Sequence, residues 1–199
     1  RDERNESPTL SAGLVFAHQK TPLFETLATV REAEKAAKAV KGAPGQPDKD
    51  ALAFWVDKRS GERIEVTGRF AEVVDDLRQM TRLRRQGFIP GRAAYELDGL
   101  AALRIDPLPS EKPDDRRVRD AMTGVQADEI VRVLGRRRTE GGTGAMPESV
   151  RGWLRQRAEA LQDHNAAKAL SLRLRAAEAI ARGEDEAGVP IPAEAEATP

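Results

Sequence analysis

The chain has 199 residues, enough for one large domain or two small ones, and it contains no cysteine. That excludes disulfides, thiolate metal sites and a cysteine nucleophile, and it accords with a reducing cytoplasm. Charged residues make up 33% of the chain but balance at 33 basic against 33 acidic. No global field therefore draws it to nucleic acid or to a membrane surface, and any nucleic-acid contact must be local. Aromatic residues are only 4%, so the core must be built from Leu, Val, Ile and Ala. With two histidines, an imidazole metal site would need carboxylate help. No apolar run approaches the ~20 residues of a membrane span, and no signal peptide is visible.

The first residues, RDERNESP, are charged and loop-like and run straight into an apolar stretch. This start reads as the middle of a protein, and the chain as the C-terminal piece of a longer one. Thr9 to Ala17 has the length and apolar content of a buried strand. Thr21-Pro22 is a helix start, with Thr as N-cap and Pro at the first helical position. Leu23, Leu27, Val30, Ala33 and Ala37 recur at three- and four-residue steps and predict one apolar helix face. Gly42 fits a left-handed cap, followed by the loop APGQPDKD. Ala51 to Asp57 is a second strand, KRSGE a turn, and Arg63 to Thr67 the returning hairpin strand.

From Phe70 the period becomes helical. One helix carries Val73, Val74, Leu77, Met80 and Leu83 and ends at Gly87. A second covers 92–103, a Pro-rich connector follows, and a third covers 116–138 with Gly124 as its weak point. After a Gly-rich loop, Pro147 opens a helical stretch to about Arg182, broken near His164-Asn165. The acidic, Pro/Ala-rich tail has the composition of a disordered segment. The expected fold class is α+β, divided into an α/β half-domain at 1–70, a helical domain at 71–183 and an acidic tail at 184–199. Three strands alone cannot shield a sheet on both faces, so partner strands are expected upstream or on another chain.

Ser11-Ala12-Gly13, His18, Pro22-Leu23, Ala33-Glu34-Lys35, Ala37-Lys38 and Lys58-Arg59-Ser60-Gly61 form an ordered set. Together they resemble the second half of the nucleotide-cyclase, ferredoxin-like palm in the large subunit of type III CRISPR effector complexes. The resemblance covers about residues 7–70; residues 71–199 fit that subunit's helical C-terminal domain in position and length only. GGDEF diguanylate cyclases share the palm, but they follow the helix with Gly-Arg-Asn where this chain has Gly42-Ala43-Pro44, and they lack the KRSG turn.

The resemblance implies an RNA-guided antiviral complex that converts ATP, with a divalent metal such as Mg2+, to cyclic oligoadenylate when target RNA pairs with the guide. It implies as partners the rest of the polypeptide, small helical and backbone subunits, and guide and target RNA. The family's metal-binding carboxylates lie in a GGDD hairpin. This sequence has none, and Asp75-Asp76 falls in a helical pattern after the wrong element. The chain alone is therefore expected to be non-catalytic and to bind no metal. Carried over residue by residue, the nucleotide contacts are Ser11 and Ala12 on the small-residue strand, with Lys38 as the preferred triphosphate contact and Lys35 and Lys41 as second choices. Lys35 and Lys38 project to one side of their helix.

Each of these residues also has an ordinary role open to it. Lysines in a last helical turn complement the helix dipole, Ser-Ala-Gly in a strand serves packing, and His18 at a strand end serves as a hydrogen-bonder. The clusters Arg82/Arg84/Arg85 and Arg136/Arg137/Arg138 either grip nucleic-acid phosphates or act as helix-end charges, the latter preferred. Trp55 reads as core. Trp153 is either core or an interface anchor, and His164 reads as surface. Two rival functions stand beside the first: the tail of a GGDEF-type diguanylate cyclase, and an interaction module with no nucleotide chemistry.

Overall fold

The computed structural model describes residues 9–42, 48–102, 113–136, 146–161 and 165–190, without the side chains of 113–122 and 136. Among them are three strands and six helices, a mixed α/β composition. In order these are β1 (Ala12–Ala17), α1 (Leu23–Ala39), β2 (Ala51–Asp57), β3 (Arg63–Arg69), α2 (Phe70–Arg85), α3 (Ala93–Ala102), α4 (Pro113–Arg136), α5 (Glu148–Ala160) and α6 (Ala166–Glu186). The chain forms two compact units that meet between Gln79 and Met80, inside α2, rather than at residue 70. The hairpin's last strand feeds directly into α2, so no linker marks a boundary there.

In the first unit the sheet order is β1-β2-β3. β1 pairs with β2 in parallel, Gly13 opposite Ala53 and Val15 opposite Trp55. β3 returns antiparallel, Trp55 opposite Glu65 and Asp57 opposite Arg63. β2 is the central strand and is buried from Ala51 to Val56. One face carries Val15, Ala51, Ala53 and Trp55 and packs against Ala33, Ala36 and Ala37 of α1. These small side chains let the helix lie close to the sheet. At Gly13 the contact is closest: a Cβ there would lie 2.4 Å from the Glu34 amide nitrogen and 2.9 Å from the Ala33 carbonyl carbon. Only glycine permits this approach of helix backbone to strand.

Several expected boundaries shift. Pro22, not Thr21, is the residue before the first helical position of α1, and no side chain caps it. The Thr21 amide is already engaged with the His18 carbonyl at 2.8 Å, in a turn that brings the chain out of β1. The helix ends at Ala39, with Val40 extended. Gly42 is therefore no left-handed cap; its amide donates to Asp48 Oδ1 at 3.0 Å. The expected apolar face of α1 divides. Ala33 and Ala37 are buried with Thr29, whereas Leu23 and Leu27 are exposed because the sheet ends at β1. β1 starts at Ala12 rather than Thr9, and β3 runs two residues past Thr67.

In the second unit Met80, Leu83, Ile89, Leu97, Ile130, Leu134, Leu154 and Leu170 form one core. α2 closes at Gly87 with φ +78°, where Phe88 N donates to Leu83 O and Gly87 N to Arg84 O. These are the paired bonds of a Schellman stop, which needs a left-handed residue. α4 begins at Pro113, three residues before the expected start, a position that suits proline. The break between α5 and α6 falls where it is expected: Asn165 is left-handed and its side chain accepts from the Lys168 amide. His164 and residues 191–199 lie outside the described residues. α6 continues to Glu186, so 184–186 belong to a helix rather than to the tail. Arg85 holds that helix end. Its side chain is 3% exposed and reaches Glu184 at 2.8 Å and Asp185 at 3.0 Å, as well as the Val189 carbonyl.

Two expectations follow. Gly13→Ala pushes a methyl into the α1 backbone and lowers stability by roughly 1–3 kcal/mol, read from the urea midpoint. Asp98 on α3 is bonded to Lys168 at 3.0 Å and to Arg175. Burial alone would raise its pKa, but the Lys168 hydrogen bond and the Arg175 charge outweigh it, and the pKa lies below the ordinary aspartate value. The folded pKa is the lower one, so this stabilisation is complete above the unfolded pKa and is lost as pH falls through the folded one. Asp98→Asn therefore lowers the urea midpoint at neutral pH. The gap from the parent protein narrows in acid.

Candidate functional site

Parallel β1 and β2 with a helical crossover leave a crevice beyond the carboxyl ends of the strands, where ligands of α/β sheets commonly sit. Here it has a volume of about 600 Å³ and is lined by the β1–α1 turn, the first turn of α1 and the β2–β3 hairpin tip. The turn is set by His18, whose Nδ1 accepts the Lys20 amide at 3.2 Å, so the local geometry uses His18 as a hydrogen-bonder. At the tip, Lys58 N donates to Glu62 O and Gly61 N to Lys58 O. No side chain caps α1, but Glu25 in its first turn sets a carboxylate beside the positive dipole end that faces this region.

Four cations line the crevice, Lys20, Lys58, Arg59 and Arg63, together with four carboxylates. Lys58 is paired with Glu62 at 2.9 Å. Arg63 donates to Asp57 at 2.6 Å, Glu32 at 3.2 Å and Thr29 at 3.0 Å. Its guanidinium also lies 5.4 Å from the Trp55 ring centre. The hydrogen bond to Asp57 is the main reason its pKa lies above the usual value, against a smaller opposing effect of burial. Among the described residues, the side chains of Lys20 and Arg59 have no ion-pair partner, and both residues are exposed. The crevice as a whole is charge-balanced, four cations against four carboxylates, and Lys20 and Arg59 are the cations that an anionic group such as a phosphate would meet there. Among the described residues no three carboxylate or imidazole groups are grouped so as to hold a metal ion.

The nucleotide contacts carried over by resemblance lie at the other end of this unit. α1 runs back along β1, so that Glu34 lies over Gly13. Ser11 and Ala12 therefore share an end of the sheet with Lys35 and Lys38, a helix length of about 24 Å from the crevice. Ser11 Oγ donates to the Lys49 carbonyl at 2.9 Å. Lys38 pairs with Glu34 at 2.5 Å, a hydrogen bond that draws the Glu34 pKa down. Lys41 pairs with Asp48 at 3.1 Å, and Lys35 is exposed. Any phosphate at that end competes with Glu34 and Asp48.

The arginine cluster at the end of α2 is used internally. Arg84 donates to the Ile89 carbonyl at 3.3 Å, Arg85 is buried against α6, and Arg82 is also engaged. The side chains of Arg136, Arg137 and Arg138 lie outside the described residues. Asp75 and Asp76 are on α2, Asp76 buried. Trp55 is core, with Nε1 donating to Thr67 Oγ1 at 3.3 Å. Trp153 packs against the helical core. Sequence reasoning passed over Lys20 and Arg59 as site residues. The signal for them was positional: both stand just after a strand of the β-α-β unit.

Comparison with known protein families, with curated proteins and with solved structures finds no match to this chain. The site is therefore read from its own geometry. Arg63 joins β3, α1 and the β2 terminus in one network, and its removal leaves Asp57 and Glu32 without a cation. Arg63→Ala is expected to cost about 1–2 kcal/mol. Arg63→Lys recovers only part of this, because lysine lacks the planar fork. Thermal unfolding of the two variants checks the order.

Proposed function

We propose that this chain forms the second half of a nucleotide-cyclase-like palm and the adjoining helical docking domain of a type III CRISPR large subunit. In this reading the complete assembly, with guide RNA paired to a target, converts ATP to cyclic oligoadenylate. The observation that carries the reading is the β-α-β-β unit itself: a Ser-Ala-Gly strand parallel to β2, pressed at Gly13 against a helix ending in Ala-Lys, with the KRSG turn at the strands' carboxyl end.

Phosphoryl transfer needs cations on the phosphates and a metal to neutralise developing charge. The metal, Mg2+ by its chemistry, would supply that neutralisation on a GGDD hairpin outside these 199 residues. The chain's own part is to bind and orient ATP beside the Ser11-Ala12 end of β1, while Gly13 seats α1 against that strand. Two cation sets are available for the triphosphate: Lys38 with Lys35 at one end of α1, and Lys20 with Arg59 at the other. The proposed role of the helical unit is docking, to the small helical and backbone subunits of the ribonucleoprotein.

The experiment is to purify the native full-length protein with whatever accompanies it and to sequence any bound RNA. ATP turnover and binding are then assayed. Short RNAs sharing a repeat-derived 5′ end, with cyclic oligoadenylate formed from ATP, are the expected result. Preference for GTP points to a diguanylate cyclase, and a preparation free of RNA and silent to both nucleotides leaves an interaction module. Within the expected outcome, Lys38→Ala lowers ATP affinity roughly 10-fold, as the loss of one charge-assisted hydrogen bond would. A comparable loss in Lys20→Ala/Arg59→Ala instead assigns the phosphates to the crevice.

A further inference from the structure

The two edges of the sheet are built differently. β3 carries Arg63, Glu65 and Arg69, and charged side chains on an edge strand deter another strand from pairing. β1, AGLVFA, carries no charge. Its Leu14 and Phe16 are 46% and 49% exposed, on the face they share with Phe54, whose ring centre lies 5.1 Å from that of Phe16. An uncharged, apolar edge of this length is a template for a further strand.

A second patch adjoins it on α1, where Leu23, Phe24 and Leu27 are 71%, 71% and 47% exposed. Helical geometry fixes the side on which Leu23 and Leu27 lie. Thr29 and Glu32 reach Arg63 on β3. The buried line of Ala33 and Ala37 stands over the sheet. At 100° per residue, Leu23 and Leu27 fall on the far flank from Thr29 and Glu32, over the open side of β1. The strand edge and the helix flank thus face the same side of the first unit, one below the other, where none of that unit's described strands or helices lies.

We infer that this position is an interface for an apolar strand-and-helix unit. The strand pairs with β1 and covers Leu14 and Phe16, and an amphipathic helix packs beside α1 on Leu23 and Leu27. The inference stands on the edge and the exposed side chains alone, and it holds whether or not the chain handles nucleotides.

A second copy of this chain fits poorly. On the same flank of α1, Leu23 and Leu27 give way to Glu34 and Lys38 about three turns further along the helix. A two-fold antiparallel β1–β1 pair sets the leucines of one copy against the ion pair of the other. A two-fold parallel pair puts the two α1 helices on opposite faces. Neither buries both patches, as a separate apolar unit does.

The test places a photo-reactive p-benzoylphenylalanine at Phe16, or separately at Leu27, in the native full-length protein with its partners, and maps the adducts by mass spectrometry. The expected result is two adducts in one segment outside residues 9–70: from Phe16 to an apolar stretch of alternating pattern, and from Leu27 to a helical one. Hydrogen exchange of the unsubstituted protein is the second readout. The β1 amides directed away from β2 are expected to exchange within about 10-fold of those directed toward it, since both are strand-paired. Adducts to β1 or α1 of another copy overturn the inference. So do adducts at neither position, or outward amides exchanging more than about 100-fold faster than inward ones.

Discussion

Everything in the sheet unit depends on the approach of α1 to β1 at Gly13. Because no side chain stands there, the helix backbone settles on the strand and alanines fill the remaining gap. That depth fixes the rest. It lets Thr29 and Glu32 reach Arg63 on one flank and leaves Leu23 and Leu27 over the open edge on the other. It also places the uncapped N-terminus of α1 beside the hairpin tip, so that a crevice exists at all. A methyl at one position would disturb the core, the crevice and the open edge together, because all three are set by the same helix position.

The balanced composition has a structural counterpart. Arg63, Arg85 and Arg175 each join separate elements by pairing with acids, and each is largely or partly withdrawn from solvent. A withdrawn cation is stabilising only with its partners in place, which is why these arginines occur beside Asp57, Glu184 and Asp98. Charge that looks available in the sequence is thus mostly committed to the fold. Lys20 and Arg59 stand apart at the crevice. The asymmetry of the sheet follows the same logic: charge guards the β3 edge, and β1 carries none.

Much of the fold was legible in the sequence. β2 and the helix break at Asn165 fall where residue types place them, because alternation, strand length and left-handed backbone are local properties. The stop of α2 at Gly87 is legible for the same reason. The end of α1 was not: Gly42 had the right residue type, but Asp48 holds its amide in a loop contact that no local pattern announces. Nor could periodicity tell that Leu23 and Leu27 are exposed while Thr29 is buried, since the repeat shows a face without showing what lies against it.

By itself the sequence determined the mixed α/β class, the element order, and the charge balance that excludes a global field. These depend on side-chain size, periodicity and composition, which are read residue by residue. Only the tertiary structure decided that Ser11, Ala12, Lys35 and Lys38 lie at one end of the unit and Lys20 and Arg59 at the other. It also decided that Arg85 is a buried anchor and not a phosphate clamp, and that β1 is an unguarded edge. Each of these depends on which distant segments meet, and that is settled by the antiparallel return of α1 over β1 and by the packing of the helical core.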